Sequence, residues 1–283
     1  MSYLNQKLFE TMPQEINFDI AFEPTRMREH KYVVNTVTDE PIGIVGKSFN
    51  AVDHATFYQN VVNTMTDHLS VDAQRTAEIR WRHARNGAWT MMDMRLPDVS
   101  RTISTSRHDT NLEQRIIALH GVDGSCSNTT LFGAIDMFCT NGMIIGKYDR
   151  IRKKNTSNFS ISMFVRELNR AKHDFYAEGD KLQEWALTSI AHVNVHELLK
   201  GIMKSDRKAD KMYALYRTEV STRGENVFAL YSAFTNYSSY ADERNGFSLK
   251  ETGGDTQAIS MLRREHEVAS WVDSGAFKSL VAA

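Results

Sequence analysis

Residues 119–144, LHGVDGSCSNTTLFGAIDMFCTNGMI, hold both cysteines of the chain together with a histidine, two aspartates and several hydroxyls. Those residue types could grip a metal ion or build a nucleophile with its base. Cys126 and Cys139 lie thirteen positions apart, and no C-x-x-C pair is present to hold a tetrahedral ion. Cys139, between Phe138 and Thr140, reads as a small buried hydrophobe. Ser125 has His120 and Asp123 close in sequence, but G-S-C-S is not the G-x-S-x-G elbow, and triad members usually meet only in the fold. Asp123-Gly124 is better read as a tight turn between two strands. The ten histidines are scattered, and only His192 and His196 stand at the i,i+4 spacing that could place two ligands on one helix face. Gly46-Lys47-Ser48 ends like a phosphate loop, but Pro41 occupies the position of the loop's first glycine and the residues between belong on a strand. No catalytic residue, cofactor or metal is assigned on these grounds, and the expectation is a protein that is not an enzyme.

Positive charge and aromatic rings gather at two other places. Arg80, Arg82 and Arg95 accompany Trp89 on one face of the segment 77–96, and KYDRIRKK at 147–154 packs five basic residues around Tyr148. Single-strand binding without sequence preference needs that combination, in which cations neutralise phosphates and rings stack bases. The candidate contact set is Arg80, Arg82, Trp89, Arg95, Lys147, Tyr148, Arg150, Arg152, Lys153 and Lys154. The competing reading is a solvated face, with Asp93 neutralising Arg80 across a hairpin.

The elements that must position these groups follow from periodicity. Asn86-Gly87 is a strong hairpin signal, because a type I′ turn requires positive φ at both central residues. A two-residue turn there pairs Trp81 with Met92 and Arg80 with Asp93. Ile79, Trp81, Met92 and Met94 then face the core, leaving Arg80, Arg82, Trp89, Met91 and Arg95 on the outer face. Residues 30–46 form an earlier hairpin around Thr38-Asp39-Glu40. A helix near 53–69 starts at the N-cap Asp53 and buries Phe57, Val61, Val62, Met65 and Leu69. Strands continue from Arg115 to about 146, and residues 150–158 form an exposed basic loop. Residues 159–204 are mostly helical, with shorter helices near 207–216 and 225–242 and a last one over 256–271.

Sheet first and helices later argue for an α+β fold, an antiparallel sheet with long hairpins packed by C-terminal helices. All four prolines fall in the first hundred residues and no linker or repeat follows, which suggests one domain over 1–283. Within it, 1–29 forms an N-terminal arm, 30–158 is mainly sheet and 159–283 mainly helix. No apolar run approaches the roughly 20 residues of a membrane span, and two cysteines suit a reducing cytoplasm. A net charge of −1 gives no global attraction to nucleic acid, so such a role rests on local patches.

Three stretches carry a family likeness. They are YVVNTVTDEPIGIVGKSFNAVDH (32–54), VDGSCSNTTLFGAIDMFCTNGM (122–143), and ALYSAFTNYSSYADERNG (229–246) with the terminal SWVDSGAFKSLVAA. Together they resemble the phage- and plasmid-borne family built around the domain of unknown function numbered 932. Ala233 stands where that family's pattern suggests asparagine. The resemblance implies DNA replication or recombination of a mobile element, strand annealing included, in the host bacterial cytoplasm. The expected partners are single-stranded DNA and further copies of the chain, with no membrane. The alternatives are an interaction protein that captures a host factor, as in counter-defence, and a metal-dependent enzyme using His192 and His196.

Overall fold

The computed structural model of the chain describes residues 2–84, 86–137, 142–144, 151–155, 160–170, 175–240 and 254–281, with backbone alone at 84, 135, 142–144, 151–153, 167–170, 240 and 254–262. It is α+β, with two antiparallel sheets and helices concentrated in the C-terminal half. In chain order, helix α1 (Tyr3–Thr11) and a 3-10 turn (Gln14–Ile16) lead into strands β1 (Ile20–Pro24), β2 (His30–Asn35) and β3 (Glu40–Gly46). Helices α2 (His54–Thr66) and α3 (Val71–Thr76) precede β4 (Glu78–Ala84), β5 (Trp89–Ser104), β6 (Asp109–Gly121), β7 (Asn128–Asp136), β8 (Gly142–Ile144) and β9 (Ile151–Lys153). The rest is helical: α4 (Ile161–Arg170), α5 (Phe175–Leu187), α6 (Val195–Met203), α7 (Asp206–Arg223), α8 (Val227–Tyr240), α9 (Gly254–Val272) and α10 (Gly275–Lys278).

Two compact units interleave along the sequence. The first comprises Met1–Val99, Gln114–Phe132 and Asp149–His173, and the second comprises Ser100–Glu113, Gly133–Tyr148 and Asp174–Ala283. In the first unit β1, β2 and β3 form one sheet, and β4, β5, β6 and β7 follow in that order in the other, with β9 pairing β7. The Asn86-Gly87 hairpin has the predicted register, Arg80 opposite Asp93 and Trp81 opposite Met92. Asn86 (φ 51°) and Gly87 (φ 80°) both take the left-handed conformation that a type I′ turn demands. Asp53 caps α2 as expected, its carboxylate accepting from the Thr56 amide at 2.6 Å.

The core of the first unit joins Met92, Met94, Leu96, Ile116, Ala118 and Phe132 of the sheet to Phe57, Val61, Val62 and Met65 of α2, with Ile79 and Trp81 at its margin. Ser2 caps α1 through the Asn5 amide, and Leu4, Leu8, Met12 and Ile16 enter the same core.

In the second unit α8 lies at the centre, packed by α5, α7 and α9. Val227, Phe228, Leu230, Tyr231, Phe234 and Tyr237 are all buried, so this helix is apolar on nearly every side. Arg223, at the end of α7, is buried and ion-paired to both Asp136 of β7 and Glu219 one turn earlier. Burial raises the Glu219 carboxyl pKa, against the opposing pull of the Arg223 charge. Helix α7 is longer than the segment 207–216 suggests, because its polar residues keep helical spacing up to the C-cap at Gly224. No helix among the described residues is long and apolar enough to cross a membrane.

Candidate nucleic-acid interface

The basic groups of the first hairpin sit on β4, an edge strand of its sheet. Alternation sends Arg80 and Arg82 to the same side, two residues and so about 7 Å apart. Both are exposed, Arg80 with 77% of its side chain in solvent. Glu78 approaches Arg80 at a long 4.0 Å and Arg95 at 3.6 Å. An exposed contact that long holds little energy and leaves the Arg80 charge available. Asp93, in register with Arg80, is instead engaged by Arg115 of β6, whose Nε and Nη2 donate to its two oxygens at 2.7 and 2.6 Å. Burial raises the Asp93 pKa, but the charge and hydrogen bonds of Arg115, together with the charges of Arg82 and Arg80, outweigh it, and the carboxyl stays below its ordinary value. The direct ion pair of Asp93 is thus with Arg115 one strand further in, and Arg80 and Arg82 act on it only through their charge. Nothing in the alternation of the hairpin names that third-strand partner.

Trp89 corrects the expected outer face. It is only 2% exposed, and Met91 on the same side of β5 is fully buried. The far face of β5 is covered at this end, so the indole has no surface on which a base could stack. Solvent reaches that face further along, where Asp93 and Arg95 are half-buried, and on the edge strand with Arg80 and Arg82.

The second basic group divides. Arg152 and Lys153 belong to β9, and Lys154 follows it in an exposed position, so part of the expected loop is an edge strand. Lys147, Tyr148 and Arg150 lie outside the described residues. β9 pairs the N-terminal half of β7, Thr129 opposite Arg152. Between it and β4 lie β5, β6 and β7, so the two basic strands are opposite edges of one sheet, about 19 Å apart at the usual strand spacing.

The reactive-looking residues of 119–144 have other duties. The Asp123-Gly124 turn is present, Gly124 at φ 81° and the Ser125 amide donating to Asp123 Oδ1 at 2.9 Å. His120 lies fully buried, stacked on Phe57 at 4.3 Å and bonded to His54, while Ser125 is exposed. No Ser–His pair forms. Cys139 lies outside the described residues, and the Cys126 side chain is half-exposed. His192 falls on the turn before α6, so it does not share a helix with His196. His196 bonds Asp210 at 2.7 Å. Among the described residues no group of three metal-ligating side chains comes together.

The His54–His120 contact was not legible, since 66 positions separate the two rings. His54 Nε2 lies 2.7 Å from the Gly87 carbonyl, which can only accept, so that nitrogen carries the proton. Burial lowers the His54 pKa to about 4, and the ring is neutral with a bare Nδ1. His120 must then donate through its own Nδ1, across 2.8 Å. Tyr58 completes the group, donating to the Thr90 carbonyl at 2.7 Å. The network pins the start of α2 to the turn of the hairpin that carries Arg80 and Arg82.

Neither the curated proteins nor the solved structures include a match to this chain. The sequence profile described as "Domain of unknown function (DUF932)" matches residues 41–264, a span that takes in β3 through most of α9 and both ends of the β4–β5 hairpin. The chain belongs to the DUF932 family.

Proposed function

We propose that the protein is a non-enzymatic single-stranded DNA-binding protein that acts in replication or recombination of a phage or plasmid. The observation that carries this reading is the pair Arg80 and Arg82, both exposed and at strand spacing on a sheet edge. Lys154 is exposed next to β9, the opposite edge strand, which carries Arg152 and Lys153 in its sequence. Trp89 drops out of the contact set, and affinity is expected to come mainly from phosphates. Arginines on an edge strand also discourage pairing with another chain, and the two uses are compatible.

The test is a titration of a fluorescent thymidine oligonucleotide at several salt concentrations. Each phosphate neutralised on a single strand contributes about 0.7 to the slope of log K against log salt. Replacing Arg80 and Arg82 by alanine should reduce the slope by about 1.4 and leave the fold intact. Trp89→Phe should leave the slope unchanged. An R80A/R82A protein with the wild-type slope would remove this edge from the interface.

A further inference from the structure

The small sheet of the first unit buries one face and leaves the other open. Val33 of β2 enters a core with Val45 and Val122. Alternation sends His30 and Tyr32 to the opposite face. There Tyr32 is half-buried, in register with Glu23 of β1 and with Ile44 of β3, which is 50% exposed. Among the described residues no ring packs on Tyr32 and no hydrogen bond ties its hydroxyl. An aromatic ring beside a branched aliphatic chain, both reached by solvent, is a surface on which a planar base can lie.

Cations border this face at the β1–β2 end. Arg26 and Arg28 are exposed on the connecting loop, and Lys47 is exposed just past β3. The Lys47 amide donates to the Glu29 carbonyl at 2.9 Å, which sets that residue beside the loop. The loop is braced from within. Thr25 Oγ1 accepts from the Met27 amide at 3.0 Å, and the His30 amide donates to the Met27 carbonyl at 3.0 Å. None of the three cations is ion-paired to a described carboxylate, although Glu23 and Glu29 are near in sequence. Lys31 is already engaged, its Nζ 3.8 Å from the centre of the Phe22 ring. Unpaired cations for phosphates and an adjacent open ring for a base are the two contacts that single-strand binding combines. The β4 edge offers only the first of them, since Trp89 is buried.

We propose that the open face of the β1–β2–β3 sheet is a base-stacking contact for single-stranded DNA, with a base on Tyr32 against Ile44 and phosphates on Arg26, Arg28 and Lys47. The assignment rests on the single-strand reading above and supplies the stacking surface that Trp89 cannot. The test titrates the full chain with a thymidine oligonucleotide and with an abasic one of equal length, which keeps the phosphates and lacks the bases. Tyr32→Ala should weaken thymidine binding about fivefold or more and leave abasic binding within about twofold. Tyr32→Phe keeps the ring and should bind thymidine like the wild type. Arg26→Ala/Arg28→Ala/Lys47→Ala should lower the slope of log K against log salt by about 2 with either oligonucleotide. A thermal melt checks the fold of each variant, and the triple variant, confined to exposed side chains, tests the face even where Tyr32→Ala melts early. Equal weakening of both oligonucleotides by Tyr32→Ala, no weakening at all, or a wild-type slope in the triple variant would overturn the proposal. A reduced slope in R80A/R82A alongside any of these would leave the β4 edge in the interface, so the two readings fail separately. A wild-type chain that binds neither oligonucleotide ends both.

Discussion

At the scale of single residues, the least ordinary group is the neutral His54–His120 pair. Two imidazoles facing each other through Nδ1 atoms 2.8 Å apart can share one proton, not two. Burial holds both pKa values down, that of His54 to about 4, with the neighbouring His54 adding to the depression at His120. An imidazole in the unfolded chain binds its proton near pH 6.5, so between there and pH 4 the unfolded state takes up protons that the fold refuses. Stability is therefore full above about pH 6.5 and falls as pH drops toward 4. His54 alone accounts for about 3 kcal/mol across that window, and His120 acts in the same direction. Asp53 and Asp123 favour the His54 cation and His83 opposes it, but burial outweighs them. Urea midpoints measured at pH 7 and pH 4.5 should differ more in the wild type than in a His54→Gln/His120→Phe variant. Equal differences would show that the pair contributes nothing to the pH dependence.

At the scale of elements, the β4–β5 turn shows what a sequence can specify and where it stops. Asn86-Gly87 named its own turn type, and the register of every pair along the hairpin followed from it. A Cβ on Gly87 would lie 2.7 Å from the Phe18 ring and 3.0 Å from the Glu15 carbonyl, at a φ of 80°. Gly87→Ala should cost about 1–3 kcal/mol by strain alone. Asn86→Gly keeps the same conformation open and should stay within about 0.5 kcal/mol. Chemical denaturation compares the two, and a Gly87→Ala protein as stable as wild type would show that the turn relaxes freely. The exposure of Arg80 and Arg82 was legible for the same reason as the register. The burial of Trp89 was not, because alternation tells which residues share a face and not what covers it. Only where one face is solvated does polarity report the difference, and at Trp89 and Met91 both faces of β5 are dry. Helix α2 announced itself by Asp53 and five apolar positions, of which Leu69 lies just past its observed end. Helix α1 did not, since its buried side rests on Leu4, Asn5 and Leu8 among polar neighbours.

At the scale of the whole molecule, the family match and the folding unit have different edges. The match begins at residue 41, inside β3, yet the core of the first unit draws on Leu4, Leu8, Met12 and Ile16. It ends at residue 264, before Trp271 and Phe277, which are buried in the second unit. Sequence similarity follows residues that a family shares, whereas a core follows whatever covers the sheet. A short helix can meet the second demand with any apolar side chains of the right size. Deleting a buried Leu or Ile side chain typically costs about 2–5 kcal/mol, against a total stability of about 5–15 kcal/mol for a domain. Removing four such side chains together with β1 and β2 therefore exceeds what the first unit can lose. A fragment spanning 41–264 should show no cooperative urea transition by tryptophan fluorescence, whereas residues 2–281 should unfold like the full chain. The milder deletion of residues 2–12 takes away α1 alone, and its midpoint should fall between those two cases. Trp81 reports directly on that loss, because its indole donates to Thr11 at 3.1 Å and its ring packs on Tyr58 at 4.8 Å. A cooperative transition of the 41–264 fragment at the full-length midpoint would mean that α1 rests on the core without supporting it.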